Sequence, residues 1–154
     1  MQPRIDLNKH LGSGFVRSLL ALSHEVEKKV EQPVVDLILI RASQINGCAY
    51  CIDMHTKDAR LRGETEQRIY ALSAWRETPF FNDRERMALE WTEAVTLIGS
   101  NHVPDDLYQR ASRQFSEEEL IALTGAVIVI NSWNRLAITF RAPAGTYQPK
   151  AVAV

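Results

Sequence analysis

The sequence predicts an all-helical, single-domain protein, and three features predict it. Apolar residues recur at helical spacing through most of the chain. Ser116 and Glu119 form a capping box ahead of SEEELIALTGAVIVINSWNRLAITF, a periodic segment far longer than a normal strand. The alternation of strands and helices that a parallel sheet requires is missing. A length of 154 residues fits one core, with no repeat or linker to divide it.

The elements follow in order. Residues 1–10 read as an extended arm. A helix is predicted from Phe15 to Val30, with Phe15, Leu19, Leu22, Val26 and Val30 on one face. Gln32-Pro33 punctuates it. The run VVDLILIRASQI is ambiguous between a buried strand and a helix apolar on most faces. Asn46-Gly47 breaks the chain before CAYCIDMHTKDARLRG, a helix expected to end at Gly63. Glu64–Ala74 reads as a short helix. Asp83 is expected to cap RERMALEWTEAVTLIG, and Pro104 to sit in the first turn of DDLYQRASRQF. Pro143 and Gly145 are expected to end the last helix.

A net charge of -1 gives no general electrostatic case for nucleic acid or an anionic membrane, so neither is expected as a partner. No apolar stretch is expected to cross a bilayer uninterrupted, and MQPRIDLNKHLGSGF lacks the apolar centre of a secretory signal. A cytoplasmic location follows as an expectation. The chain has two cysteines, three positions apart. A secreted scaffold would spread its cysteines to staple distant segments, whereas a close pair in a reducing compartment points to redox or metal chemistry.

On a helix at about 100° per residue, Cys48, Cys51 and His55 fall on one stripe no more than about 60° wide. Asn46-Gly47 places the cysteines near a helix start, where unpaired N–H groups favour a thiolate. One thiolate can attack a peroxide, the second thiol can close a disulfide, and the histidine can move the proton. Zinc is the competing use, but Cys-x-x-Cys with one histidine supplies three ligands where a structural site wants four. His10, His24 and His102 lie in unrelated segments and read as surface or packing residues. No metal and no cofactor are therefore expected.

The segment RASQINGCAYCIDMHT resembles the core of the AhpD-like alkylhydroperoxidases of the carboxymuconolactone decarboxylase superfamily. The likeness extends through AWRETPFF, ERMALEWTEAVT and INSWNRLAITFR, covering most of residues 34–141 as the core of one domain spanning 1–154. The resemblance implies an AhpD-like helical bundle, with VVDLILI as helix, assembled as a trimer or hexamer. It also implies a thiol-dependent peroxidase in which Cys51 is peroxidatic, Cys48 resolving and His55 part of a proton relay. A small peroxide is then the substrate, and an unidentified thiol the reductant.

The relay's carboxylate, twelve residues before the first cysteine, falls on Asp36, where the family carries glutamate. Tyr50 stands where AhpD has a histidine. A charge in VVDLILI is expected to have a partner if buried. The alternatives are a metal-binding or redox-sensing module, a dithiol–disulfide exchanger of protein thiols, and, remotely, a decarboxylase. Trp75, Trp91 and Trp133 read as core or interface anchors, at least one of Asn131 and Asn134 as a buried hydrogen-bonding group, and Arg41 and Arg60 as cations able to aid a thiolate or bind an anion, with solvent-facing roles the default.

Overall fold

The computed structural model describes residues 2–26 and 28–149. Among them there is no β-strand. The helices are α1 (Gly14–Val26), α2 (Gln32–Asn46), α3 (Ala49–Leu61), α4 (Glu66–Ala71), α5 (Asp83–Thr96), α6 (Ile98–Asn101), α7 (Asp105–Ala111) and α8 (Glu117–Phe140). Short 3-10 turns cover Leu7–His10 and Leu72–Glu77.

α2 is the centre of the bundle, packed against α3, α5 and α8, while α1 lies on α8. Its residues from Val34 to Ile40 are all buried, Asp36 included. A helix covered on every side needs apolar residues at every position, which is why its composition imitates a strand. Pro33 in the first turn starts it without losing a needed N–H. Val35, Ile38, Leu123, Val127 and Ile130 form one core with Cys48 and Cys51. Leu37, Ile40, Ala59, Leu72, Trp75 and Leu89 form a second.

Several boundaries differ from expectation. α1 stops at Val26 and buries Val16 and Leu19, leaving Phe15 and Leu22 exposed. Residues 7–10 form a 3-10 turn instead of extended chain. The Glu64–Ala74 segment splits into α4, capped by Thr65, and a 3-10 turn kinked at Ala74. Asn82, not Asp83, caps α5: its side chain accepts the Glu85 N–H, and Glu85 returns the bond to the Asn82 N–H. Pro104 is the N-cap of α7, one residue before the first turn. The box of Ser116 and Glu119 opens α8 as predicted, and α8 ends at Phe140 with Arg141 in the left-handed region.

α8 is long and apolar enough to cross a membrane by length and composition alone, which corrects the expectation that no such stretch exists. One face of it is packed into the core. Leu123, Ala126, Val127 and Ile130 are buried, Thr124 accepts the Trp91 indole N–H at 3.0 Å, and Asn134 donates to Ser43 at 3.0 Å.

Candidate active site

The site is built on the α2–α3 hairpin. Gly47 ends α2 at φ +70°, a left-handed conformation that costs an L side chain free energy, and its N–H reaches the carbonyls of Ser43 and Gln44. The reversal delivers Cys48 directly as the N-cap of α3. Gly47→Ala is expected to lower stability by about 1 kcal/mol, read as a lower midpoint in thermal unfolding.

A polar cluster fixes the same corner. Asn46 donates to Asn131 at 3.0 Å and to Asn134 at 2.8 Å, and Asn134, fully buried, donates to Ser43. Each amide is therefore satisfied inside an apolar bundle, where an unpaired one would be costly. Asn134 is the buried hydrogen-bonding asparagine the sequence suggested, Asn131 is partly exposed, and together they pin the end of α2 to α8 beside the cysteines.

Cys48 and Cys51 form a disulfide, with Cα atoms 5.3 Å apart. The Cys51 N–H points at the Cys48 sulfur at 3.3 Å, so sulfur takes the role that a serine oxygen usually plays at a helix start. Both residues are buried, at 1% and 2% exposure. Their neighbours on α3, Tyr50, Ile52, Met54 and His55, are partly exposed.

His55 lies one turn beyond Cys51. Burial, and then the nearby Arg62 cation, push its pKa down to about 4, so the imidazole is a free base at neutral pH. No hydrogen bond or ion pair joins it to Asp36 among the described residues. Asp36 is buried at 3% exposure and has the partner that burial demands, but that partner is Arg62. The guanidinium grips the carboxylate through Nε at 2.9 Å and Nη2 at 2.6 Å, and Gln32 adds a third donor at 2.9 Å. Asp36 and Arg62 line a cleft of about 390 Å³ with Gln32, Pro33, Ala59 and Glu64.

The cation at this site is thus Arg62 and neither of the two arginines singled out from sequence. Arg41 turns inward to Glu93 at 2.8 Å, a carboxylate that also accepts the Trp75 indole N–H, and Arg60 pairs with Glu66 at 3.4 Å on the surface. Arg62 follows His55 by seven residues, two helical turns, and that spacing was the available signal. Sequence reasoning also missed the C-terminal segment. Gly145 donates to Asp53, the Lys57 ammonium to the Tyr147 carbonyl, and the Tyr147 hydroxyl to Asp58 at 2.8 Å. Burial and Asp58 push the Tyr147 phenol up to about 12, so it stays protonated. No three His, Cys, Asp or Glu side chains converge to hold a metal among the described residues.

The sequence profile of the carboxymuconolactone decarboxylase family matches residues 14–94, more than half of the chain. The chain belongs to that family. The match spans α1 through most of α5 and so contains the dithiol hairpin. The uncharacterized protein YdfG of Bacillus subtilis (strain 168) is 51% identical over 112 residues, 73% of this chain and 76% of its own length. A crystal structure from Agrobacterium tumefaciens superposes with a TM-score of 0.89 at 39% identity, covering 95% of this chain and 100% of that one. It is a protein of unknown function for which a role as the antioxidant defence protein AhpD has been suggested. The debrominase Bmp8, solved with 2,3,4-tribromopyrrole, gives a TM-score of 0.76 at 17% identity over 85% of this chain and 71% of its own. At that identity the likeness is one of fold. The all-α, AhpD-like bundle expected from sequence is the fold found.

Proposed function

We propose that this family member is a thiol-dependent peroxidase that reduces small organic hydroperoxides or hydrogen peroxide. The observation that carries the reading is a Cys48–Cys51 disulfide with the His55 imidazole one turn beyond Cys51 on the same helix. In the reduced protein, His55 takes the Cys51 thiol proton, and the thiolate and imidazolium then stabilise each other. The thiolate attacks the terminal peroxide oxygen, the O–O bond breaks, and the leaving alkoxide receives the proton from His55 as an alcohol. Cys51 is now a sulfenic acid. The Cys48 sulfur attacks it, forming the S–S bond and releasing water. A small thiol reductant returns two electrons and two protons. Asp36 belongs to the set as the carboxylate at the far end of the hairpin.

Near-complete burial of both sulfurs favours a small substrate over a folded protein disulfide, which could not approach closely enough for in-line exchange. Self-association belongs to the same reading. Phe15 on α1 and Ile121 on α8 expose 67% and 74% of their surface, the kind of apolar area another copy covers, and a trimer or hexamer is proposed. A reducing cytosol is the proposed location, since the cycle must reopen the disulfide.

The test is chemical. Pre-reduced protein given one equivalent of peroxide is expected to lose both free thiols and the mass of two hydrogens, with one alcohol and one water formed per disulfide, or two waters from hydrogen peroxide. Retention of both thiols would refute the proposal.

A further inference from the structure

We propose that the cleft between α5, α7 and the 3-10 turn at Leu72–Glu77 is a binding site for a small organic anion, held through a carboxylate or phosphate group by the guanidiniums of Arg86 and Arg113. The site is separate from the dithiol and independent of the peroxidase reading, since no residue lining it belongs to the α2–α3 hairpin.

The cleft has a volume of about 530 Å³, within the range of small-molecule sites and far more than an inorganic ion needs. α5 supplies Asp83, Arg86, Met87 and Glu90, whose spacing of three and four residues sets them in one row on the helix. Facing them are Trp75 and Arg76 from the 3-10 turn, Arg110 from α7, and Arg113 with Gln114 just beyond it. The Arg76 and Arg86 guanidiniums lie over the Trp75 ring, 4.2 and 5.2 Å from its centroid. Met87, partly exposed, adds apolar surface for the body of a ligand.

The four arginines are partnered unequally. Arg110 grips Glu90 through two bonds of 2.7 Å, and Arg76 meets Glu93 at 2.6 Å. Arg86 has no carboxylate partner among the described residues. Its Nη1 donates to the Trp75 and Thr78 carbonyls at 3.1 and 3.0 Å, and its Nη2 to the Arg76 carbonyl at 2.8 Å. Carbonyls fix a guanidinium in place without cancelling its charge, and these three bonds leave part of its donor set unused. The Arg113 side chain has no hydrogen bond or ion pair among the described residues, and neither has the Gln114 amide. The acids do not restore the balance. Glu93 is shared with Arg41, and Asp106 stands 3.6 Å from Arg110. Asp83 is exposed in the first turn of α5, where the helix dipole favours a carboxylate. With Arg41 included, the cations still outnumber Asp83, Glu90, Glu93 and Asp106. An oxyanion is the charge this wall lacks. The planar fork of arginine suits carboxylate and phosphate oxygens, and Arg86, already held, loses little freedom when the anion arrives.

The test is binding to the oxidised full chain at low ionic strength, with inorganic phosphate and succinate as probes. The Trp75 indole and Arg113 side-chain NMR signals are the readout. At least one probe is expected to shift them saturably with a Kd of about 1 mM or tighter, and the tighter binder identifies the head group. Arg113→Gln removes a cation that no contact within the fold uses, and is expected to weaken binding at least ~threefold. Asp83→Asn removes the opposing charge at the rim, and is expected to tighten binding about twofold. Arg17→Gln, the same change of charge on α1, is expected to leave binding as it is. Signals that stay still at about 10 mM of either probe, or an Arg113→Gln chain that binds no more weakly than Arg17→Gln, overturn the proposal. Peroxide consumption enters neither outcome, so this site and the peroxidase reading stand or fall separately.

Discussion

Cys51→Ser is expected to lower peroxide consumption by at least ~1,000-fold, because a serine hydroxyl is scarcely ionised and is a poor nucleophile toward peroxide oxygen. Cys48→Ser is expected to behave differently. It should consume one equivalent quickly and then stop, with a sulfenic acid left on Cys51 that an added dimedone-type trap captures. The two outcomes assign the roles. Cys48 is the N-cap of α3, and that position alone favours a thiolate. Cys51 has the imidazole one turn beyond it and a backbone N–H directed toward its neighbour's sulfur. If the free base at His55 governs the first step, the single-turnover burst belongs to Cys48→Ser. A burst in Cys51→Ser and none in Cys48→Ser would reverse the assignment. Stopped-flow peroxide loss with mass analysis of the trapped adduct decides between them.

Much of this arrangement was legible in the chain because local rules and tertiary packing agree. The box of Ser116 and Glu119 opens α8 where the sequence places it, and Asn46-Gly47 produces the reversal that presents Cys48. The stripe of Cys48, Cys51 and His55 needs only a helix to exist. The central helix was less readable. α2 is buried on all sides, so its apolar residues lose the periodicity that tells a helix from a strand. The first helix misled in the opposite way: Phe15 and Leu22 share its apolar spacing yet are exposed, since spacing identifies a face without saying what covers it. The partner of Asp36 was out of reach for a further reason. That a carboxylate inside VVDLILI must have a cation follows from the cost of burial, but which arginine supplies it depends on the α2–α3 register. Arg41 and Arg60 looked equally available, and only the hairpin brings Arg62 to Asp36.

The imidazole should also govern acid stability. In the folded protein His55 titrates near 4, whereas in the unfolded chain it takes its ordinary value near 6.5. The unfolded state therefore binds a proton that the folded state refuses anywhere between those two values, and stability falls as pH is lowered through that window. Above pH ~6.5 the group has no such effect, and below pH ~4 both states are protonated and the loss is complete. The full loss is roughly 2–3 kcal/mol, allowing for the partial contact of the imidazole with water. Arginine-paired carboxylates such as Glu90, Glu93 and Glu119, whose pKa values are lowered in the fold, add their own loss further into acid, below the range where free carboxylates titrate. The two contributions separate by pH. Urea unfolding of the oxidised protein at pH 7 and pH 4.8 is expected to show most of the His55 loss, and His55→Gln, which cannot be protonated, is expected to abolish most of the difference. An identical fall in both proteins would mean that the folded imidazole takes up its proton as readily as the unfolded one, and the lowered proton affinity of His55 would then be absent.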